Sequence, residues 1–365
     1  MSTNATVTLD FIADAAVSFA LQQNRVPAIK RVCVHNDGNT PLGSVEIRLS
    51  SNPPFGKALV LESTHLPPGE ERAWSDLRFE LDAAYLAGLR ESLVGYFEVE
   101  VLSAGERIHF ARHEVELLAT DCWNGLRSLP ELLAAFVLPN TRAVECILAD
   151  AAERLLSQDR NFRLNGYQSK NRQAVATQVA AIFEAIQARG IHYSNPPASF
   201  EQFGQKVRLP QRILDSGLAT CLDTTLLFCA CAEQAGLNPL AVMIEGHAFC
   251  GVWLEEATFP ESAQDSHSRL KNRVDLHEIL PVETTLLCEA KTSFAAAVDA
   301  GRRHLADESS FQCVIDIARC RKLGVKPLPL LDDGKVDEDA VARRRERPMR
   351  TNGAVPRSKS TTVSI

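Results

Sequence analysis

The sequence lacks several patterns that would by themselves point to a function. No apolar run approaches the roughly 18 residues that suggest a membrane span. No G-x-x-x-x-G-K-[ST] loop occurs, so the chain carries no recognisable nucleotide-hydrolysing motor. No C-x2-C pair occurs, so a cysteine-based zinc site is not expected, and we predict neither a metal nor a cofactor. Internal repeats are also absent from the sequence.

Composition and charge narrow the class of protein further. The chain has 365 residues, 45% of them hydrophobic and 23% charged, which is ordinary for a globular protein long enough for two domains. A formal net charge of −7 argues against general nucleic-acid binding. The N-terminus has no basic region, and Asp10 and Asp14 interrupt its apolar stretch, which argues against a signal peptide. We therefore expect a cytoplasmic protein without membrane association.

The ten cysteines lie in apolar, regular segments and not at disulfide-scaffold spacings. In a long chain without a signal peptide, this distribution predicts free thiols. Most of these cysteines are expected to be small buried hydrophobes. They are Cys33, Cys122, Cys146, Cys221, Cys229, Cys231, Cys250, Cys288, Cys313 and Cys320.

Residues 1–120 show short strand patterns separated by turn residues. Six or seven antiparallel strands of this kind predict a β-sandwich of immunoglobulin-like size. A short helix is expected at Asp82–Leu93. The predicted strands are Val7–Phe11, Ile29–His35, Ser44–Leu49, Ala58–Leu61, Ala73–Leu81, Gly95–Leu102 and Arg107–Leu117.

Residues 121–330 combine helical periods with strands, which makes the predicted fold class α+β. Helices are expected after Thr141 to about Leu156, at Arg172–Arg189, from Cys221 to about Ala235 and at Phe294–Leu305. Strands are expected at Leu240–Ile244, Ala248–Leu254, Val282–Leu287 and Cys313–Ile317, with a polar loop at Glu255–Arg273. Residues 331–365 are acidic, then basic, with few apolar side chains, and we predict a disordered tail.

Cys221 is the strongest candidate for chemistry. It follows an irregular segment and opens an apolar helix, a position where the positive end of the helix dipole favours a thiolate. His247 begins a strand, and Glu283 follows later in a strand-like segment. A thiolate, a proton carrier and an orienting acid are the groups that thiol catalysis of acyl transfer needs. Asp275 or a backbone carbonyl could take the place of Glu283.

This stretch resembles the transglutaminase-like core, a branch of the papain-like fold. The motif residues are Ala219-Thr220-Cys221, with Asp223 two residues later, His247-Ala248-Phe249, and Glu283-Thr284-Thr285. They stand where that family has Gly-x-Cys, His-Ala-Trp and an aspartate before Pro-Thr. The resemblance covers about residues 170–290. It implies a cysteine protease or transglutaminase-like hydrolase or acyltransferase, with the catalytic triad Cys221, His247 and Glu283 and a protein or peptide substrate.

The resemblance also implies an oxyanion hole made by the backbone N–H of Cys221 and a second donor, for which Gln202 and Gln205 are candidates by chain position. Peptide cleavage is the first expectation. Transglutamination and deamidation are the alternatives, because all three reactions share an acyl-enzyme intermediate. The negative charge of Asp223 is expected to interact favourably with the helix dipole and to oppose thiolate formation at Cys221. His304 is expected at the surface, and Phe249 and Trp253 in the core.

The run from Thr220 to Leu254 also resembles the amino-terminal region of very large bacterial helicase–nuclease proteins implicated in phage defence. This second resemblance implies a helicase or nuclease partner and a role in antiviral defence. It leaves open a catalytically inactive interaction module that keeps the fold without the chemistry. A thiol domain that regulates a nucleic-acid-associated motor is a third possibility.

Overall fold

The computed structural model of the chain describes residues 7–75, 77–127, 129–195 and 204–329. The predicted disordered tail at 331–365 and Gln202 lie outside these ranges. The described part is an α+β fold, in agreement with the predicted class. No helix within it is long and apolar enough to cross a membrane.

Two sheets make up the first third of the chain. The first is antiparallel, in the order β1-β3-β6; the second has the order β2-β8-β7-β4-β5, in which only the β2–β8 pair is parallel. The elements are β1 Val7–Ala13, β2 Ala16–Val17, α1 Phe19–Gln23, β3 Ile29–Asn36, β4 Val45–Asn52, β5 Leu59–Ser63, β6 Glu71–Ser75, α2 Ala83–Gly88, β7 Leu93–Ser103 and β8 Glu106–Leu117.

These two sheets pack face to face because alternate residues of their strands are apolar. Phe97, for example, is buried, and the flanking Tyr96 and Glu98 are not. The Phe11 ring of β1 lies 5.9 Å from the Phe97 ring of β7 and 4.3 Å from the His113 ring of β8. The strand predicted at 73–81 is wrong over its second half, since β6 ends at Ser75.

A five-stranded antiparallel sheet, in the order β15-β17-β13-β14-β16, organises the second part of the chain. The elements of this part of the chain are β9 Cys122–Trp123, α3 Arg142–Gln158, α4 Arg172–Gln187, β10 His192–Tyr193, β11 Gln205–Lys206, α5 Pro210–Ser216, β12 Leu218–Ala219, α6 Cys221–Gln234, β13 Pro239–Ile244, β14 His247–Trp253, β15 Ala263–Gln264, α7 His267–Asp275, β16 Ile279–Val282, α8 Phe294–His304, β17 Phe311–Asp316 and α9 Ile317–Lys322. Outside the five-stranded sheet, β9 pairs with β11 and β10 pairs with β12.

Both faces of this sheet are covered. Alternate residues of β14, such as Ala248 and Cys250, belong to the large core that includes α6, and the intervening Phe249 and Trp253 pack with Leu270 of α7 on the other side. Helix α6 is buried on all sides from Cys221 to Ala232, as its apolar residues predict. Phe249 and Trp253 lie in the core, as expected.

Two segments differ from the sequence prediction. The supposed polar loop at 255–273 contains β15 and most of α7. The strand expected at Val282–Leu287 stops at Val282, and a 3-10 helix follows at Thr284–Cys288. The cause is Glu283, whose carboxylate accepts a hydrogen bond from the backbone N–H of Thr285 and so caps a helical turn.

Candidate active site

The helix that carries Cys221 begins with a capping box. Thr220 Oγ1 accepts a hydrogen bond from the Asp223 N–H, and the Asp223 carboxylate accepts one from the Thr220 N–H. Cys221 is the first helical residue, so its own N–H has no acceptor within the helix. The start of α6 therefore places both a thiol and a free backbone donor at the positive end of the helix dipole.

Asp223 does not act as the unpaired opposing charge that the sequence suggested. Its carboxylate is fully buried and accepts hydrogen bonds from the backbone N–H of Arg208 at 2.7 Å and from Arg208 Nη1 at 2.9 Å. An arginine so close compensates most of the negative charge that the thiol would otherwise experience. Asp223 therefore fixes the start of the helix, and its effect on the thiol is offset.

His247 owes its position to a tight hairpin. Ile244 of β13 pairs with His247 of β14 across the two-residue turn Glu245-Gly246, and Gly246 has a φ of +67°, which favours glycine. His247 Nε2 lies 2.7 Å from Glu283 Oε2, and the Cys221 thiol is close enough to the ring to raise its pKa. Since Nε2 faces the carboxylate, Nδ1 is the nitrogen left for the sulfur.

Glu283 is the acid that the structure brings to His247. Its Oε1 accepts hydrogen bonds from the Thr285 N–H at 2.8 Å and from Thr285 Oγ1 at 2.7 Å, which leaves Oε2 for the imidazole. The rival Asp275 pairs with Lys271 at 2.7 Å on the exposed side of α7. Cys221, His247 and Glu283 thus lie together, with His247 between the thiol and the acid.

The hydrogen bonds shift the titration of both partners of Cys221. Burial would lower the pKa of His247, but its hydrogen bonds with Cys221 and Glu283, together with their charges, raise it to about 10. Burial would favour neutral Glu283, yet the hydrogen bonds from His247, His304 and Thr285 hold the pKa of its carboxyl well below the ordinary value. The arrangement therefore favours an imidazolium between a carboxylate and the sulfur.

His304 is a site residue that the sequence analysis placed at the surface. Its Nε2 lies 2.7 Å from Glu283 Oε2, the same oxygen that His247 contacts, and the two imidazole rings are 5.1 Å apart. Gly301, one turn earlier in α8, makes this approach possible. A Cβ there would lie 3.0 Å from the backbone carbon of Pro281 in β16. In the sequence, Arg302-Arg303-His304 looked like an ordinary basic helix end.

A buried threonine cluster ties the start of α6 to the segment that carries Glu283. The hydroxyls of Thr224 and Thr225 donate to the Cys221 carbonyl at 2.9 and 2.8 Å. The same hydroxyls lie 3.3 and 2.9 Å from Thr284 Oγ1. Because Thr284 is next to Glu283, this cluster fixes the nucleophile's helix against the acid's turn.

Tyr193 is a second residue that sequence reasoning missed. Strand β10 runs parallel to β12, which leads directly into Cys221, and this pairing brings the Tyr193 phenol to the thiol. Burial, then the negative charge of Cys221 and the hydrogen bond with it, raise the pKa of Tyr193 to about 12. The phenol therefore keeps its proton and can donate it toward the sulfur.

Of the two candidates for the second oxyanion donor, the structure describes only Gln205, whose amide is engaged elsewhere. Gln205 lies in β11, paired with β9, and its amide Nε2 donates to the Lys206 carbonyl. Gln202 is outside the described residues. Cys221 itself is only 1% exposed, whereas the His247 side chain is 21% exposed. Of the pair, the imidazole is the part that solvent reaches.

The described residues contain a single group of His, Cys, Asp and Glu side chains close enough together to hold a metal ion. Its ligand atoms, on His247, Glu283 and His304, all lie within 4.8 Å of one another. They come from the start of β14, the end of β16 and the end of α8. The sequence gave no signal for this set because its members are far apart in the chain.

Comparison with known proteins leaves the family open. No family model matches the chain, and no curated protein matches it. Among solved structures, the chain is similar to the one titled "X-ray structure of Northeast Structural Genomics Consortium target SoR45" at 14% identity, over 33% of this chain and 89% of that one. The TM-score of 0.16 is too low to support an argument about fold or function.

Proposed function

We propose that this protein is a thiol-dependent acyl-transfer enzyme that acts on amide carbonyls of proteins or peptides. The observation that carries the proposal is the 2.7 Å hydrogen bond between His247 and Glu283, together with the Cys221 thiol that acts on the same imidazole and raises its pKa. Each member has the chemistry its position requires: a sulfur nucleophile, an imidazole able to hold a proton beside it, and a carboxylate that orients the ring.

The reaction would begin when the Cys221 thiolate attacks the amide carbon and the carbonyl oxygen takes the electron pair. The backbone N–H of Cys221 supports that oxygen. His247 then gives its Nδ1 proton to the leaving amine, the C–N bond breaks, and a thioester remains on Cys221. Water or a primary amine then attacks the thioester carbon and gives a proton to His247. The C–S bond breaks, which releases the acyl product and restores the Cys221 thiolate. Peptide cleavage, deamidation and transglutamination differ only in the leaving and attacking groups.

The proposal includes the finer fold assignment. A cysteine at a helix start, packed on an antiparallel sheet whose strands supply the histidine and the acid, is typical of the transglutaminase-like branch of papain-like folds. The two packed sheets of the first third then form an immunoglobulin-like sandwich, which would present the domain to a partner. By the resemblance of residues 220–254, that partner would be a helicase or nuclease of a bacterial defence system.

A second candidate is a catalytically inactive interaction module of the same fold. The observation that favours it is the burial of Cys221, which is 1% exposed and so presents almost no surface to a substrate. The orientation of His247 favours the enzyme, because a ring that faces both the sulfur and a carboxylate is arranged for proton transfer. The two candidates differ in whether the thiol reacts.

The test uses an unfolded protein as substrate, with and without a fluorescent primary amine, and mass spectrometry of the products. The enzyme gives cleaved, deamidated or amine-labelled products that disappear in Cys221→Ala. Cys146→Ala, which removes an exposed thiol remote in sequence, serves as the matched control and keeps activity. Products of equal yield from wild type and Cys221→Ala would leave the interaction module as the function. A phage-challenge assay with the same variants tests the defence role.

A further inference from the structure

Three ligand atoms meet on the side of His247 that faces away from Cys221. His247 Nε2 and His304 Nε2 each lie 2.7 Å from Glu283 Oε2, and all three atoms fit within 4.8 Å. Two imidazole nitrogens and one carboxylate oxygen form a ligand set that zinc proteins use, with a fourth position open to water. Imidazole nitrogens also favour zinc, cobalt, nickel or copper over magnesium and calcium.

The surroundings of the carboxylate fit a ligand role. Thr285 holds Glu283 Oε1 with two hydrogen bonds, so Oε2 is oriented by an outer partner, as ligating carboxylates generally are. The side chain of His304 is 35% exposed and that of His247 is 21% exposed, which gives an ion a route from solvent. His304 is the last residue of α8, so a small movement of its ring away from Glu283 Oε2 would make room for an ion between the ligand atoms.

We propose that His247, Glu283 and His304 form a binding site for a zinc-class divalent ion that holds the thiol centre inactive. The ion takes the place of the protons between these atoms. His247 releases its Nε2 proton to solvent and keeps the one on Nδ1, and His304 carries its proton on Nδ1. A neutral ring with its proton on Nδ1 and the ion on Nε2 is a poor acid and cannot protonate a leaving amine. This consequence rests on the proposed acyl transfer, whereas ion binding itself does not.

The test measures binding to tag-free protein, with Zn²⁺ by calorimetry and Co²⁺ by its visible spectrum. Wild type should bind one ion at this site, with nitrogen and oxygen ligands to Co²⁺. Cys221→Ala should bind equally well, because the sulfur lies on the opposite side of the ring. His304→Leu removes a ligand and should weaken binding by more than the roughly 10- to 100-fold that loss of an outer partner costs. Thr285→Val, which loses such an outer hydrogen bond, should weaken binding within that range.

His65→Leu, a change at an exposed histidine, is the control and should leave binding unchanged. Unaltered affinity in both His304→Leu and Thr285→Val would overturn the inference. So would a sulfur-to-cobalt charge-transfer band that vanishes in Cys221→Ala, because the thiol would then be a ligand. The two proposals fail separately. An active thiol enzyme that binds no zinc refutes the ion site alone, and Cys221→Ala reports on ion binding whether or not the thiol is reactive.

Discussion

Glu283→Gln changes the site at a single atom. Thr285 donates two hydrogen bonds to Oε1, so the amide of the variant keeps its oxygen there and turns its NH2 group toward His247 and His304. In the variant, both imidazoles must accept a hydrogen bond at Nε2. In the wild type, the same Nε2 atoms face a carboxylate oxygen. An imidazolium has no lone pair to accept with, so the variant disfavours protonated His247.

The structure gives the size of the effect. The pKa of His247 is raised to about 10 from an ordinary 6.5, and the interaction with Cys221 supplies part of that increase. In the variant we expect the pKa of His247 to fall by about two or more. This corresponds to about 3 kcal/mol of free energy between the protonated and neutral forms of the ring. At pH 9, His247 would then be about nine-tenths protonated in wild type and about one-tenth protonated in the variant.

Histidine-selective NMR titration measures this directly through the ring protons of His247. Asp275→Asn is the matched control, because Asp275 is exposed and pairs with Lys271, away from the imidazole. It should leave the titration of His247 unchanged. A wild-type His247 that titrates near its ordinary value, or one that Glu283→Gln does not move, would refute the reasoning.

Three further predictions concern stability and are measured by denaturant unfolding. Because the pKa of Glu283 is lowered, its contribution to stability is complete above the ordinary value of 4.5 and is lost as the pH falls below it. The free energies of unfolding of wild type and Glu283→Gln should therefore converge in acid, and a difference that stays constant with pH contradicts this. Arg208→Gln leaves the buried Asp223 charge unpaired and should cost about 3 kcal/mol, and a cost near zero contradicts the pairing. Gly301→Ala places a Cβ 3.0 Å from the β16 backbone and should cost about 1–3 kcal/mol, whereas Gly88→Ala, in open space, should cost far less.

Local signals predicted the parts of the site that depend on neighbours in the chain. The irregular segment before Cys221 and the apolar run after it indicated where α6 begins, and His247 was expected to begin a strand, as it does in β14. The order of cysteine, histidine and acid then singled out the three residues that the structure brings together. Asp223 was expected only as a charge at the helix start, and its capping contact with Thr220 is a finding of the structure.

The rest of the site depends on contacts between distant segments, which periodicity does not reveal. His304 reaches Glu283 because Gly301 lets α8 lie against β16, and the sequence shows only a basic helix end. Tyr193 reaches Cys221 through a two-residue parallel pairing inside a stretch that looked like a loop. The partner of Asp223 lies 15 residues away, at Arg208. The strand before the acid was predicted at Val282–Leu287 but lies at Ile279–Val282, because the capping side chain of Glu283 starts a helical turn where apolar residues suggested a strand.

The most direct test of the central claim is the rate at which iodoacetamide labels each cysteine at pH 6 and pH 8.5, followed by peptide mapping. We predict that Cys221 reacts first at pH 6, because the raised pKa of His247 keeps that ring protonated beside the sulfur. The exposed Cys146 gives the reference rate for a thiol that solvent reaches. His247→Ala should remove the preference for Cys221. Labelling of Cys221 at pH 6 no faster than that of the other nine cysteines would contradict the account.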